Sequence, residues 1–228
     1  MTDEPLVRTV GLTRIYRSQG REVHALRGVD LDVPEGCFAA LRGPSGSGKT
    51  TLINCIGGLD HPTSGQVYLE GQPISSLSDE DLTQLRRDRL GFVFQSFALL
   101  PTYSAYENVE LPLRIQAVPA REREARVMRA LTAVGLRHWA DHRPYEMSGG
   151  QQQRIGVARA LVTRPSLILA DEPTGELDSE TARQIFSLFQ RITEQEGVTI
   201  VTVTHDPLVA DYAALTYELR DGRIVGKE

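Results

Sequence analysis

Gly43-Pro44-Ser45-Gly46-Ser47-Gly48-Lys49-Thr50 matches the pattern G-x-x-x-x-G-K-[ST] in full, and the fold is read outward from it. Glycines let the backbone curl so that successive N–H groups point inward at an anion. A helix starting behind them adds the positive end of its dipole. Lys49 has the reach for β- and γ-phosphates, and the Thr50 hydroxyl suits Mg²⁺. With Thr51 next on the helix, the run 43–51 is the candidate phosphate site, and ATP with Mg²⁺ is the ligand set it implies. The context agrees: the apolar run 37–41 reads as a buried strand before the loop, and a helix starts near Lys49.

Around this unit, apolar runs bounded by turn residues alternate with helix-period segments. The expected fold is α/β within a single domain, 1–228. It has a mainly parallel core sheet, an antiparallel β region at 7–33 and a helical insertion at roughly 96–160. Residues 66–69 read as a short strand ended by Glu70-Gly71. From about 78 to 140 the pattern is helical. Ala120-Arg121-Glu122-Arg123-Glu124 opens a charged helix with Met128, Leu131 and Val134 as its buried stripe and the charges on a solvated face. Beyond Ser148 the alternation resumes: helix to 161, strand 167–170, helix from 179 to about 195, strand 198–203.

Composition narrows the function. A formal net charge of -5 argues against a general nucleic-acid binder, which carries a basic excess. Cys37 and Cys55 are too few for a disulfide framework and read as reduced, apolar residues. The acidic start Met1-Thr2-Asp3-Glu4-Pro5 has neither the basic nor the apolar segment of a secretion signal. No run approaches the ~20 apolar residues of a membrane span. A cytoplasmic protein is expected, with any spans supplied by another chain.

A phosphate loop needs a metal-holding acid at a neighbouring strand end. Leu167-Ile168-Leu169-Ala170-Asp171-Glu172 provides an apolar strand ending in two carboxylates. Asp171 suits Mg²⁺, and Glu172 can accept a proton from an attacking water. Upstream, Met147-Ser148-Gly149-Gly150-Gln151 is similar to the signature motif of ABC ATPases, followed by Gln152-Gln153-Arg154 and a helix ending Ala158-Arg159-Ala160-Leu161. Ser148, Gly149, Gly150 and Gln151 can present a hydroxyl and bare N–H groups at a helix N-terminus, a second anion site. Two anion sites for one nucleotide make sense on different subunits.

The resemblance spans nearly the whole chain. It implies that Tyr16 stacks on adenine and that Gln95 senses Mg²⁺ and the attacking water. It makes His205 the switch histidine at the γ-phosphate and Asp178, in Glu176-Leu177-Asp178, a residue acting across a dimer interface. Catalysis then falls to Glu172, His205 and Gln95, and the metal to Thr50, Gln95 and Asp171. His24, His61, His138 and His142 match no motif.

Three segments resemble the branch of macrolide-exporter, lipoprotein-releasing and cell-division ATPases: Phe94-Gln95-Ser96-Phe97-Ala98-Leu99-Leu100-Pro101, Glu107-Asn108-Val109-Glu110-Leu111-Pro112-Leu113, and 148–154. The branch implies a homodimer or pseudo-dimer, peripheral on the inner face of the cell membrane through a few-span permease with a large extracytoplasmic domain. The alternative is a cell-division-like ATPase that transmits force and moves no substrate. Phe97, Leu99, Leu100, Tyr103 and Tyr106 crowd a loop just after Gln95, where they either receive a permease helix or pack under the helical insertion. One position departs from the branch pattern: Glu176 stands where relatives usually carry Asn. That carboxylate either adds repulsion at the dimer interface or turns outward or pairs with an arginine of the other subunit.

Overall fold

Alternation within short apolar runs decides the layers. Residues 4–18 and 21–228 are described in this computed structural model, Ser18 by its backbone alone. The chain opens with β1 (Val7–Ser18) and β2 (Arg21–Val33), an antiparallel pair. β3 (Phe38–Arg42) follows, and the glycine loop leads into α1 (Lys49–Ile56). β4 (Ser64–Leu69) and β5 (Gln72–Pro73) join the first pair in a four-stranded sheet of order β2-β1-β4-β5.

Next come α2 (Asp79–Arg89), β6 (Leu90–Phe94), α3 (Ala105–Ile115), α4 (Ala120–Ala133) and α5 (Gly149–Leu161). The chain ends β7 (Leu167–Asp171), α6 (Ser179–Glu196), β8 (Thr199–Thr204), β9 (Leu215–Arg220), β10 (Arg223–Lys227). The second sheet has the order β10-β9-β3-β8-β7-β6. It is parallel from β9 to β6, with β10 antiparallel at its edge.

Both faces of that sheet are covered, as parallel sheets require. In β3, Ala39 and Leu41 join the core shared with α1 and the antiparallel sheet, while Phe38 and Ala40 join the core under α3–α6. β7 alternates likewise, with Leu167 and Leu169 against Ile168 and Ala170. Cys55 lies in the first core, where burial, with the Asp60 charge adding, pushes its thiol up to about 12.

Helix starts are written by short polar side chains. Ser148 accepts from the Gln151 N–H at 3.3 Å and its own N–H donates to Gln151 Oε1 at 2.9 Å, so α5 begins at Gly149. Asp178 caps α6 through the N–H groups of Glu180 and Thr181, both at 3.0 Å.

Three expectations need correction. The stretch 78–140 is not helical throughout: β6 lies inside it, paired with β7 from Leu90↔Leu167 to Phe94↔Asp171. A five-residue apolar run between charged helices has too little length for its period to show. The buried stripe of α4 is Val127, Ala130, Leu131 and Val134, with Met128 only half-buried. And Arg123 leaves the solvated face: its Nε donates at 2.7 Å to Glu110, a carboxylate 5% exposed. Among the described residues no helix is long and apolar enough to cross a membrane.

Candidate functional site

Ligands of open parallel sheets bind beyond the carboxyl ends of the strands. Here β3 runs into the glycine loop, β6 into Gln95, β7 into Glu172 and β8 into His205. Those tips open on one cavity of about 670 Å³ lined by Ser45, Gly46, Gly48, Lys49, Thr50, Thr51, Gln95, Glu172, His205, Tyr16 and His24. His24, which no motif singled out, therefore belongs to the cavity wall; nothing in its sequence context marks it.

The loop's shape depends on two glycines. Gly48 has φ 104°, a conformation closed to other side chains, and a Cβ there would strike the Ala25 carbonyl. A Cβ on Gly43 would strike the Leu219 carbonyl. The C-terminal hairpin buttresses the loop: the Gly222 N–H donates to the Ser47 carbonyl at 2.9 Å, and its carbonyl accepts from the Arg27 N–H at 2.8 Å. The sequence reading did not reach this support, because β9 and β10 carry no motif.

The floor is built for an anion. Lys49 is 6% exposed, and its ammonium donates to the carbonyls of Gly43 at 2.8 Å and Pro44 at 3.1 Å. Its nearest carboxylate oxygen is Glu172 Oε1 at 3.7 Å, too far for a hydrogen bond. Among the described residues the Ser47 hydroxyl is buried without a partner. A buried cation and an idle hydroxyl beside curled backbone N–H groups fit a polyphosphate. Thr50 Oγ1 donates to Asp171 Oδ1 at 3.2 Å, which brings two of the three expected metal ligands together. Gln95 lines the same cavity. Burial pushes the Asp171 carboxyl above its usual range, with the Glu172 charge adding to the effect and the Thr50 bond opposing it. A divalent cation would relieve that cost, so the donor set fits Mg²⁺.

Glu172 sits at φ 45°, a left-handed backbone uncommon for any residue but glycine. Its N–H is held by the Val203 carbonyl at 2.9 Å. One carboxylate oxygen accepts from the His205 N–H at 3.3 Å and meets His205 Nδ1 at 3.0 Å. At the cavity mouth, the Tyr16 hydroxyl donates to Asp60 at 2.6 Å, and the Arg14 guanidinium lies 4.5 Å over the Tyr16 ring while pairing with Asp60 at 2.7 Å. Burial opposes the Asp60 charge, but the bonds from Tyr16 and Arg14 outweigh it and hold the carboxyl below its usual range. The ring is thereby set in one orientation.

Ser148, Gly149, Gly150 and Gln151 are absent from that cavity wall. They sit at the start of α5, where a Cβ on Gly149 would lie 3.3 Å from Leu177 and one on Gly150 2.5 Å from Thr181. The Asp178 carboxylate caps its own helix and also accepts from the Thr181 hydroxyl at 2.7 Å.

The family model described as ABC transporter matches residues 26–175. The chain belongs to the ABC transporter family. The cassette is 44% identical to the ABC transporter ATP-binding protein MJ0796 of Methanocaldococcus jannaschii, over 98% of this chain and 97% of that protein. Solved structures of MJ0796 superpose with a TM-score of 0.88 at 43% identity over 97% of both chains. One is described as dimeric, and another as a dimeric post-hydrolysis state bound to ADP and Pi. The cassette is also 44% identical to the lipoprotein-releasing system ATP-binding protein LolD 2 of Caulobacter vibrioides, over 97% of each chain. It is 47% identical to the macrolide export ATP-binding/permease protein MacB of Syntrophobacter fumaroxidans, covering 96% of this chain and 31% of that longer protein. By family it is an ATP-binding, ATP-hydrolysing cassette.

The cluster after Gln95 divides between core and surface. Leu99 and Tyr106 pack against the core, whereas Phe94, Leu100 and Ile115 are exposed at 38%, 41% and 63%. Phe92, Phe94, Pro112 and Ile115 line a groove of about 410 Å³ beside the Gln95 loop, with Arg86 and Arg87 on its rim.

Proposed function

We propose that two copies close head to tail on ATP, each nucleotide lying between the 43–51 loop of one subunit and Ser148, Gly149, Gly150 and Gln151 of the other. The observation that carries this reading is the separation within one chain: a cavity with a cationic floor, and a second helix N-terminus that takes no part in its wall. ATP drives closure because it binds the closed state better than the open one.

In the closed state Glu172 accepts the proton of a water that attacks the γ-phosphorus, as the bond to ADP breaks. His205, bonded to Glu172, orients that carboxylate and reaches toward the γ-phosphate. Thr50, Gln95 and Asp171 would hold Mg²⁺, which neutralises phosphate charge when bound. Tyr16, fixed by Asp60 and Arg14, offers its ring to adenine. Asp178, at the start of α6, faces the second subunit.

The helical segment 96–160 is the arm that carries the signature. The groove of Phe92, Phe94, Pro112 and Ile115 receives an apolar cytoplasmic helix of a membrane permease, which keeps the cassette at the inner face of the cell membrane. The names of the MacB and LolD relatives support export or lipoprotein release as the coupled work.

Complementation tests the shared site. Lys49→Ala spoils the phosphate loop and Gly149→Asp spoils the signature, so each variant alone is expected to be inactive. A mixed dimer keeps one intact site, from the loop of the second variant and the signature of the first. Equal mixing is then expected to restore roughly a quarter of the parental ATPase activity, since random pairing makes half the dimers mixed and each has one good site of two. No recovery on mixing would count against a head-to-tail site.

A further inference from the structure

The loop that carries Gln95 is tied at both ends to α5. At its start, Gln153, fully buried, donates through Nε2 to the Phe94 carbonyl at 3.2 Å and to the Pro173 carbonyl, beside Glu172, at 2.7 Å. At its end, the Arg159 guanidinium donates to the carbonyls of Phe97 (3.0 Å) and Ala98. Those two residues are consecutive and both left-handed, at φ 58° and 50°. Neither is a glycine, so each is strained, and two in succession are not held by local preference.

Arg159 pairs with no carboxylate among the described residues, and burial holds its pKa below the ordinary value for arginine. A half-buried arginine without an acid still loses hydration, which carbonyl oxygens replace. Here the carbonyls that do so belong to the strained pair. Cation and strained turn therefore stabilise each other, and Gln95 with Ser96 lies between the two anchors. The Gln95 side chain is also confined from the far side: a Cβ on Gly175 would come within 3.0 Å of its Nε2.

The geometry points to Arg159 as a positioning residue for Gln95: by clamping the Phe97 and Ala98 carbonyls it keeps the left-handed turn closed, and the closed turn holds Gln95 in the cavity. This rests on the reading of Gln95 as a participant in hydrolysis. It separates Arg159 from the phosphate loop, which binds nucleotide without it.

Steady-state hydrolysis and equilibrium ATP binding of the full chain test the clamp in the parent, in Arg159→Gln, and in Arg159→Gln with Ala98→Gly. Arg159→Gln is expected to lower kcat about ten- to a hundred-fold, the range for a small misplacement near reacting atoms, with Kd for ATP within about three-fold of the parent. Adding Ala98→Gly is expected to bring kcat back to within about three-fold of the parent, because glycine adopts the left-handed conformation without help.

Parental kcat in Arg159→Gln would overturn the assignment. So would a parallel loss of ATP binding, or a kcat that glycine does not restore. If Arg159→Gln does not fold, Arg159→Lys is read the same way, with about a three- to ten-fold loss expected because a single ammonium nitrogen replaces the two nitrogens of the planar fork that reach the two carbonyls. Gln95→Ala is assayed alongside: parental kcat there fails the reading of Gln95 as a participant in hydrolysis, whereas a lowered kcat in Gln95→Ala with parental kcat in Arg159→Gln fails the clamp alone.

Discussion

At the strand tips, Lys49, Glu172 and His205 form a connected set, with 3.7 Å from ammonium to carboxylate and 3.0 Å from carboxylate to imidazole. At the start of α5, the hydrogen bonds of Ser148 and Gln151 close on each other. The first region is arranged for a ligand that this chain can hold by itself. The second is a well-formed helix start outside that cavity, and in the proposed dimer its anion comes from another copy. The contrast teaches that, under the proposed head-to-tail closure, binding and closure are separable, and substitutions on the two sides should divide accordingly.

The largest effect is expected at Glu172. Glu172→Gln removes the proton acceptor and is expected to slow turnover by about a hundred- to ten-thousand-fold while ATP still binds. Sedimentation with ATP should then show dimer accumulating. Parental turnover in this variant would remove Glu172 from the mechanism and leave the cavity a binding site only.

Lys49→Ala and Gly149→Asp sharpen the comparison directly. Loss of the buried ammonium is expected to weaken ATP binding to the monomer by roughly ten- to a hundred-fold, the worth of a hydrogen bond to a charged group. Gly149→Asp is expected to leave monomer affinity nearly unchanged and to abolish the ATP-dependent dimer. The space around Gly149 allows the test, since a Cβ there would meet Leu177 at 3.3 Å and Phe97 at 3.5 Å, whereas at Gly150 it would collide with Thr181. Loss of monomer binding in Gly149→Asp would break the division of labour.

Ile115→Asp probes the groove, away from both regions. A carboxylate on this exposed apolar side chain should release the cassette from the membrane fraction of cells, with ATPase activity in solution within about two-fold of the parent. Unchanged fractionation would move the docking surface elsewhere.

The smallest effect concerns Glu176, which is exposed next to Leu177 and Asp178. If its charge opposes closure, Glu176→Asn in the Glu172→Gln background is expected to raise the ATP-dependent dimer fraction by about two- to five-fold, most clearly at low salt. An unchanged or lower fraction, read by sedimentation, would favour an arginine partner in the other subunit.

What the sequence determined by itself was local chemistry. The glycine loop, the acids closing β7, the serine and aspartate caps of α5 and α6, and the alternation of buried strands are short-range patterns. Backbone conformational limits and hydrogen-bond geometry enforce them wherever they occur. The resemblance to ABC ATPases rested on the same motifs and added roles to the residues that match. Tertiary structure decided the rest. It made 90–94 a strand, because pairing with β7 outweighs the helical pattern on either side. It turned Leu99 and Tyr106 inward and left Ile115 exposed, because the packing of α3 and α5 sets which apolar residues remain uncovered. It brought the Gly222 turn onto Ser47, Arg159 onto Phe97 and Ala98, and His24 to the cavity wall, contacts that span tens to well over a hundred residues. No local pattern encodes such contacts; they exist only once burial of the two cores has brought distant segments together.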